Sequence, residues 1–237
     1  MILTHVSRRP IRRRPFCFAN VCSYTQEMAV TVAEALHGRA SSLVLAKDRL
    51  LPVTVALAAV LPFAGLERGS TVVVDAHETC GATSLTLEML AGPSIAGYWG
   101  AVAGCPELGL AAAAERGIDL ARLLLVPSLG PQDRWAQVVA SLFDAVDTVL
   151  YVPPPSVRPS DARRLAARAR DRGAVQLVLD RDRRWPGPSD LRCTVTESQW
   201  TGLSRGHGLL SERHFEVEVS GRGAAARPRR SPLQLSA

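Results

Sequence analysis

Apolar runs alternate with amphipathic segments through most of this chain, and that alternation predicts its elements. Glu27–His37 places Met28, Val32, Ala35 and Leu36 at helical spacing, with Gly38 as a stop. Leu43–Arg49 and Val53–Leu61 read as short helices, and Gly65–Gly69 as a turn. Thr71–Val74 is a β-branched run between turn residues, the form of a strand buried on both faces. Helix Ser84–Ala91 and strand Trp99–Ala103 follow. Next come helix Pro106–Arg116, with Pro106 in its first turn and Gly117 as its stop, and strand Leu123–Val126. Helix Pro131–Val146 repeats Trp135, Val138, Val139, Leu142 and Val146 on one face. Strand Thr148–Val152 ends at Pro153–Pro155, helix Ser160–Arg172 takes Ser160 as N-cap, and Val175–Leu179 is a strand.

Strands alternating with helices of this length specify βαβ units. The expected fold is therefore α/β, a doubly wound, mostly parallel sheet with helices on both faces. After Asp180 the pattern becomes half-exposed alternation in Leu191–Glu197 and Phe215–Val219, a C-terminal β-hairpin joined through Gly202, Gly206 and Gly208. The organisation expected is a basic, disordered leader over 1–26, an N-terminal helical segment over 27–64, a core over 65–219 and a flexible Arg/Gly/Pro-rich tail over 220–237. Within that tail, Leu233–Leu235 has the pattern of a final edge strand.

Charge changes this picture mainly at the ends. The net charge is +6 over 237 residues, but residues 1–14 hold five arginines and 220–237 hold four, with no acid in either. The stretch between carries 19 basic and 22 acidic residues, which argues against a folded basic groove and leaves weak DNA contact to the tails. Five cysteines without C-x-x-C spacing suit free thiols in a reducing cytoplasm. Leu50–Leu66 is uncharged over 17 residues but is broken by Pro52 and Pro62 and is short of a membrane span. The opening SRRPIRRR has no apolar stretch behind it of the kind a signal peptide needs, and Met28 is an alternative start.

The candidate chemistry lies in Thr71–Ala91, a strand, a glycine-containing loop and a helix. Set against the phosphate-loop pattern G-x-x-x-x-G-K-[ST], Ala76 takes the first glycine, Gly81 the second, Ala82 the lysine and Thr83 the magnesium-binding hydroxyl. A triphosphate needs a cation there, because backbone amides alone do not neutralise it. His77 with Asp75 and Glu78 lacks a second cluster to complete a metal site. Cys105 before Pro106 reads as a small core residue, with a low-pKa thiol at a helix N-terminus as the alternative. Trp99, Trp135, Trp185 and Trp200 are spread too widely for a base-stacking platform, and His207 sits in a glycine-rich turn.

In order and spacing, GLERG (65–69), the strand, the loop and SLTLEML (84–90) resemble the RecA family. RGIDLARLLL (116–125) is similar to the segment leading to its third strand, and AVDTVLYV (145–152) to its Walker B strand. The resemblance covers 61–179 well and extends more weakly to Val219. It implies an ATPase site that has lost its parts: Ala82 for the lysine, Val152 for the Walker B acid, and Cys105 for the water-orienting carboxylate, with Glu107 two residues off. No cofactor is expected.

Together with the proline run, the WTGLSRGHGLL segment (200–210) and the GRGAAARPRR tail (221–230), this pattern resembles the ImuA group, specifically its ATPase-deficient ImuA′ type. That resemblance implies a non-catalytic, cytoplasmic accessory factor of a damage-induced translesion-synthesis mutasome. Its partner would be an ImuB-type Y-family polymerase homologue, and it would support an error-prone C-family polymerase indirectly. Candidate partner contacts are Arg163, Arg164 and Arg168 on the arginine-lined helix, and Trp200, Arg205, Arg213, Arg227, Arg229 and Arg230 in the C-terminal segment. Two other classes fit the same residues. One is a divergent P-loop ATPase or recombinase paralogue whose cation comes from Arg68 or a neighbouring subunit. The other is a RecA-filament modulator acting through basic tails, or a cell-division inhibitor of the same superfamily.

Overall fold

The computed structural model describes residues 49–76, 81–204 and 207–236, with side chains undescribed at 203–204, 207–210 and 236. The expected leader, the helix over 27–37 and all but the last residue of the helix over 43–49 lie outside the described residues. Leu50–Pro52 (β1) pairs antiparallel with Gly65–Glu67 (β2), so the expected turn at Gly65–Gly69 begins as a strand. Between them only Val55–Ala58 (α1) is helical, started by Thr54, whose Oγ1 accepts from the Leu57 N–H at 3.4 Å. The β-branched run Val53–Val55 and the proline at 62 confine what was expected as a longer helix to one turn.

Thr71–Asp75 (β3), Ala82–Ile95 (α2), Gly100–Ala103 (β4), Leu110–Glu115 (α3), Leu123–Val126 (β5), Trp135–Ala145 (α4), Thr148–Tyr151 (β6), Pro159–Arg172 (α5) and Val175–Asp180 (β7) follow in the expected alternation. All four of these helix starts differ from the expected ones: α2 begins two residues early at Ala82, and α4 begins at Trp135 because 131–134 form a turn before it. Pro106 lies in a turn closed by Leu108 N–H donating to the Cys105 carbonyl, and extended Gly109 delays α3 to Leu110. In α5, Pro159 takes the first helical position, where its fixed φ and missing N–H cost nothing, so Ser160 is inside the helix and does not cap it.

Leu191–Ser204 (β8), His207–Gly221 (β9) and Arg229–Ser236 (β10) complete one sheet of eight strands in the order β10-β9-β8-β3-β7-β6-β4-β5. The pairs from β8 through β5 are parallel, and β8-β9-β10 are antiparallel. This is the mostly parallel, RecA-like α/β architecture. The hairpin is longer than expected. The expected flexible tail is instead strand β10 over its second half, with Leu233 opposite Phe215 and Leu235 opposite Arg213.

Side chains alternate across the sheet. Val72, Val74, Val102, Leu150, Leu177 and Leu179 face α2, α3 and the β1–α1–β2 segment. Val73, Ala101, Ala103, Val149, Tyr151 and Val178 face α4 and α5, where Tyr151 lies between Trp135 and Trp185 with ring centroids 6.1 and 6.0 Å apart. Helix α2 is buried at every position from Leu85 to Pro93, its two polar side chains there being engaged: Thr86 donates to the Ala82 carbonyl and Glu88 pairs with Arg116. A Cβ at Gly92 would stand 2.4 Å from the Val53 Cα, so only glycine lets the chain after β1 cross the helix there.

Candidate functional site

The phosphate-loop position follows β3 and opens α2, at the carboxyl ends of the parallel strands, where open α/β sheets bind ligands. Residues 77–80, including His77 and Glu78, lie outside the described part. What borders them is filled. Ala82, in the lysine position, is buried at 3% exposure and offers a methyl group. Gly81 has φ +144°, and a Cβ there would lie 2.5 Å from the Phe215 ring and 3.4 Å from a Val195 methyl. Phe215 and Val195 belong to the hairpin, which runs beyond the end of β3 (Asp75 is level with Thr194) and brings its inner face onto the first turn of α2.

The other residues at this end of the sheet are also engaged. Asp75, 1% exposed, accepts from Arg192 Nη1 and from the Thr194 hydroxyl at 3.0 Å, with Arg183 Nε at 3.5 Å. Ser84 accepts from Arg213 Nη1 at 3.0 Å, and the exposed Thr83 carbonyl accepts from the Thr86 hydroxyl at 2.9 Å. Val152, in the Walker B acid position, donates its N–H to the Ala103 carbonyl and has no charge to offer a cation. Cys105 is buried, and burial pushes its thiol up although Arg181 beside it acts in the opposite direction. That is the reverse of an activated thiol, so the low-pKa alternative fails. Glu107 is held by Arg181. Burial and the Asp75 charge push the Cys193 thiol up to about 12. Among the described residues no three metal-ligating side chains gather, and no helix is long and apolar enough to cross a membrane.

Arg68, the cation considered for a divergent ATPase, is at the opposite end of the sheet. It pairs with Asp147 at 3.0 Å, ahead of β6, and stacks on the Tyr98 ring at 5.0 Å. It does not reach the loop after β3.

Residues 59–187 match the family model described as the MT3502 N-terminal domain. The chain belongs to that family. It is also 38% identical over 148 residues to the uncharacterized protein Rv3395c of Mycobacterium tuberculosis, an alignment covering 60% of this chain and 71% of the relative. The MT3502 domain match runs from the approach to β2 through β7 and ends before the hairpin whose side chains close over Gly81.

In this MT3502-family chain the expected partner contacts are scattered. On α5, Arg163 is exposed, whereas Arg164 pairs with Asp161 at 3.3 Å, and Arg168 and Arg172 share Asp144 of α4 at 2.6 and 2.9 Å. Arg213 is not a surface residue: it is 7% exposed, its guanidinium lies 4.7 Å from the Trp200 centroid and 4.8 Å from that of Phe215, and it donates to Ser84 and Ser198. Arg205 lies outside the described residues. Arg227, Arg229 and Arg230 are exposed, and Arg230 pairs with Glu218 at 2.8 Å. Trp200 is 42% exposed.

Sequence reasoning missed the apolar edge of the sheet. Among the described strands β5 pairs only with β4, and it consists of Leu123-Leu124-Leu125-Val126. Leu125 is 45% exposed and Leu110 39%, beside a hollow of about 80 Å³ lined with Val102, Leu108 and Pro127. The signal was present as a strand without a single charge, which is unusual for an open edge.

Proposed function

We propose that this protein is a non-catalytic RecA-like adaptor of the ImuA type, serving a damage-induced translesion-synthesis mutasome by binding an ImuB-type polymerase homologue. One observation carries the non-catalytic reading: the phosphate-loop position holds a buried methyl group at Ala82 and is covered at Gly81 by Phe215 of the chain's own hairpin. Hydrolysis of a nucleoside triphosphate needs a cation on the phosphates and a carboxylate for the metal shell, and Ala82 and Val152 supply neither. A RecA domain without that chemistry retains its rigid sheet and its surfaces. The surface best suited to a protein partner is the open edge of β5, where an extended apolar segment adds backbone hydrogen bonds and fills the hollow between Leu110 and Leu125. The error-prone polymerase is reached through ImuB.

The test is co-purification with an ImuB-type partner and calorimetry with magnesium-ATP. The reading expects a stable complex, its loss in Leu125→Asp with melting temperature unchanged, and no heat of nucleotide binding. Failure to form any complex removes the adaptor reading; saturable magnesium-dependent ATP binding replaces it with a divergent ATPase.

A further inference from the structure

A cleft lies on the other flank of α3 from the β5 edge. It measures about 530 Å³ and is bounded by α1 at Ala56, α2 at Ser84, Leu87 and Glu88, α3 at Ala112, Glu115 and Arg116, the hairpin at Trp200, and β10 at Gln234 and Leu235. This volume falls within the roughly 300–1,000 Å³ of ordinary ligand clefts. Its walls are of two kinds. Trp200, Leu87, Leu235 and the alanines are apolar, and Trp200 stays 42% exposed although Arg213 is stacked on its ring. On the polar side, Arg116 is spent on Glu88 at 3.2 Å, and Glu88 also accepts from the Thr54 hydroxyl. The Arg213 guanidinium is engaged by Ser84, Ser198 and the Trp200 and Phe215 rings. Glu115 is exposed on α3 and no described residue pairs with it. The cleft therefore leaves one carboxylate without a partner among the described residues, beside an indole that the fold leaves half open.

We propose that this cleft docks a short partner segment carrying an arginine or lysine next to a large aliphatic side chain. The aliphatic group covers Trp200 and Leu235, and the cation pairs with Glu115. An acidic or purely polar segment would leave Glu115 repelled or the indole uncovered. A purely aliphatic one would desolvate Glu115 without a partner, at a cost comparable to a lost charged hydrogen bond. Occupancy is independent of the ImuB reading, because it follows from the shape and charge of the cleft and not from the β5 edge.

The probe is a blocked Leu-Arg-Leu-Arg peptide with a fluorescent label, titrated into the full chain by polarisation, with blocked Leu-Glu-Leu-Glu as its counterpart. The expected result is saturable binding of the arginine peptide, weakened by added salt, and none of the acidic one. Glu115→Lys weakens it by about ten-fold or more, the size of one lost ion pair turned to repulsion. Glu115→Gln weakens it by a few-fold, Trp200→Ala abolishes it, and Leu125→Asp leaves it unchanged. Glu115 is exposed, so its variants keep the wild-type melting temperature. Absence of saturable binding, equal binding of the acidic peptide, unchanged affinity in folded Glu115→Lys, or loss in Leu125→Asp would each overturn the proposal. Failure of the ImuB complex with peptide binding intact would leave this site standing and remove only the adaptor reading.

Discussion

Removing the Phe215 ring tests both what holds the hairpin down and the proposal that this protein does not bind nucleotide. Phe215 is 3% exposed, packs over Gly81, and shares the Arg213 guanidinium with Trp200. Truncating a buried phenylalanine to alanine costs about 3–5 kcal/mol, and the lost cation–π contact adds up to about 1 kcal/mol. In urea denaturation Phe215→Ala should lose about 4 kcal/mol with little change of slope, and Phe215→Leu about 1–1.5 kcal/mol, so the milder variant remains measurable if the first fails to fold. Calorimetry with magnesium-ATP should stay flat for both, since opening the space above Gly81 supplies neither the cation missing at Ala82 nor the carboxylate missing at Val152. A loss below about 1 kcal/mol in Phe215→Ala would refute the packing argument. Saturable nucleotide binding by either variant would refute the charge argument and leave occlusion as the sole barrier.

Gly81→Ala should destabilise more than a typical glycine replacement, by about 2 kcal/mol or more in thermal unfolding, because φ +144° strains any side chain and Phe215 blocks the new methyl. Deleting residues 228–237 removes β10 from Phe215 and Arg213, and should lower the melting temperature by several degrees; a flexible tail would leave it unchanged. Cys193 ionises near 9 when unfolded and is pushed up to about 12 when folded. Protonated in both states below pH 9, it costs nothing there; between about 9 and 12 the unfolded state alone releases its proton, so stability falls as pH rises. Cys193→Ala should flatten that alkaline fall in denaturation curves, and an unaltered slope would contradict the burial of the thiol.

The central sheet was readable because strands buried on both faces form short, mostly apolar runs. TVVV, GAVA, TVLY and VQLVL stand out between segments of helical period. The hairpin was foreshortened because its period of two is interrupted. Register shifts between Val195 and Glu197 and between Thr201 and Leu203 put residues out of phase, so alternation beyond Glu197 no longer marks a strand. Strand β10 was legible only at Leu233–Leu235, two leucines two apart and both buried; its length was obscured by composition, since arginine, glycine and proline usually signal a tail. Pro232 and the exposed Arg229 and Arg230 are the devices that blunt an exposed edge, so the residues that made this segment look unstructured suit its position as the last strand.

At the loop, the phosphate-loop spacing identified Ala82 and the resemblance to the RecA family pointed to Val152, since an uncharged residue is visible without coordinates. It could not show what had taken the place of the chemistry, because Phe215 and Arg192 reach the loop from strands far along the chain. Asp75 makes the point best. A carboxylate opening a phosphate loop would oppose any anion bound there, yet here it is buried between Arg192 and Thr194 of β8, at the seam where the hairpin joins β3. Ser84, one turn into the helix, accepts from Arg213 of the same hairpin. Two polar positions beside the degenerate loop therefore hold a neighbouring strand pair in place. A buried pair of this kind is costly to break, about 3–5 kcal/mol when one partner is removed, so Asp75→Ala should loosen the hairpin as a unit. Ala82→Lys would place a cation at a position only 3% exposed, and should destabilise the fold before it recruits a phosphate.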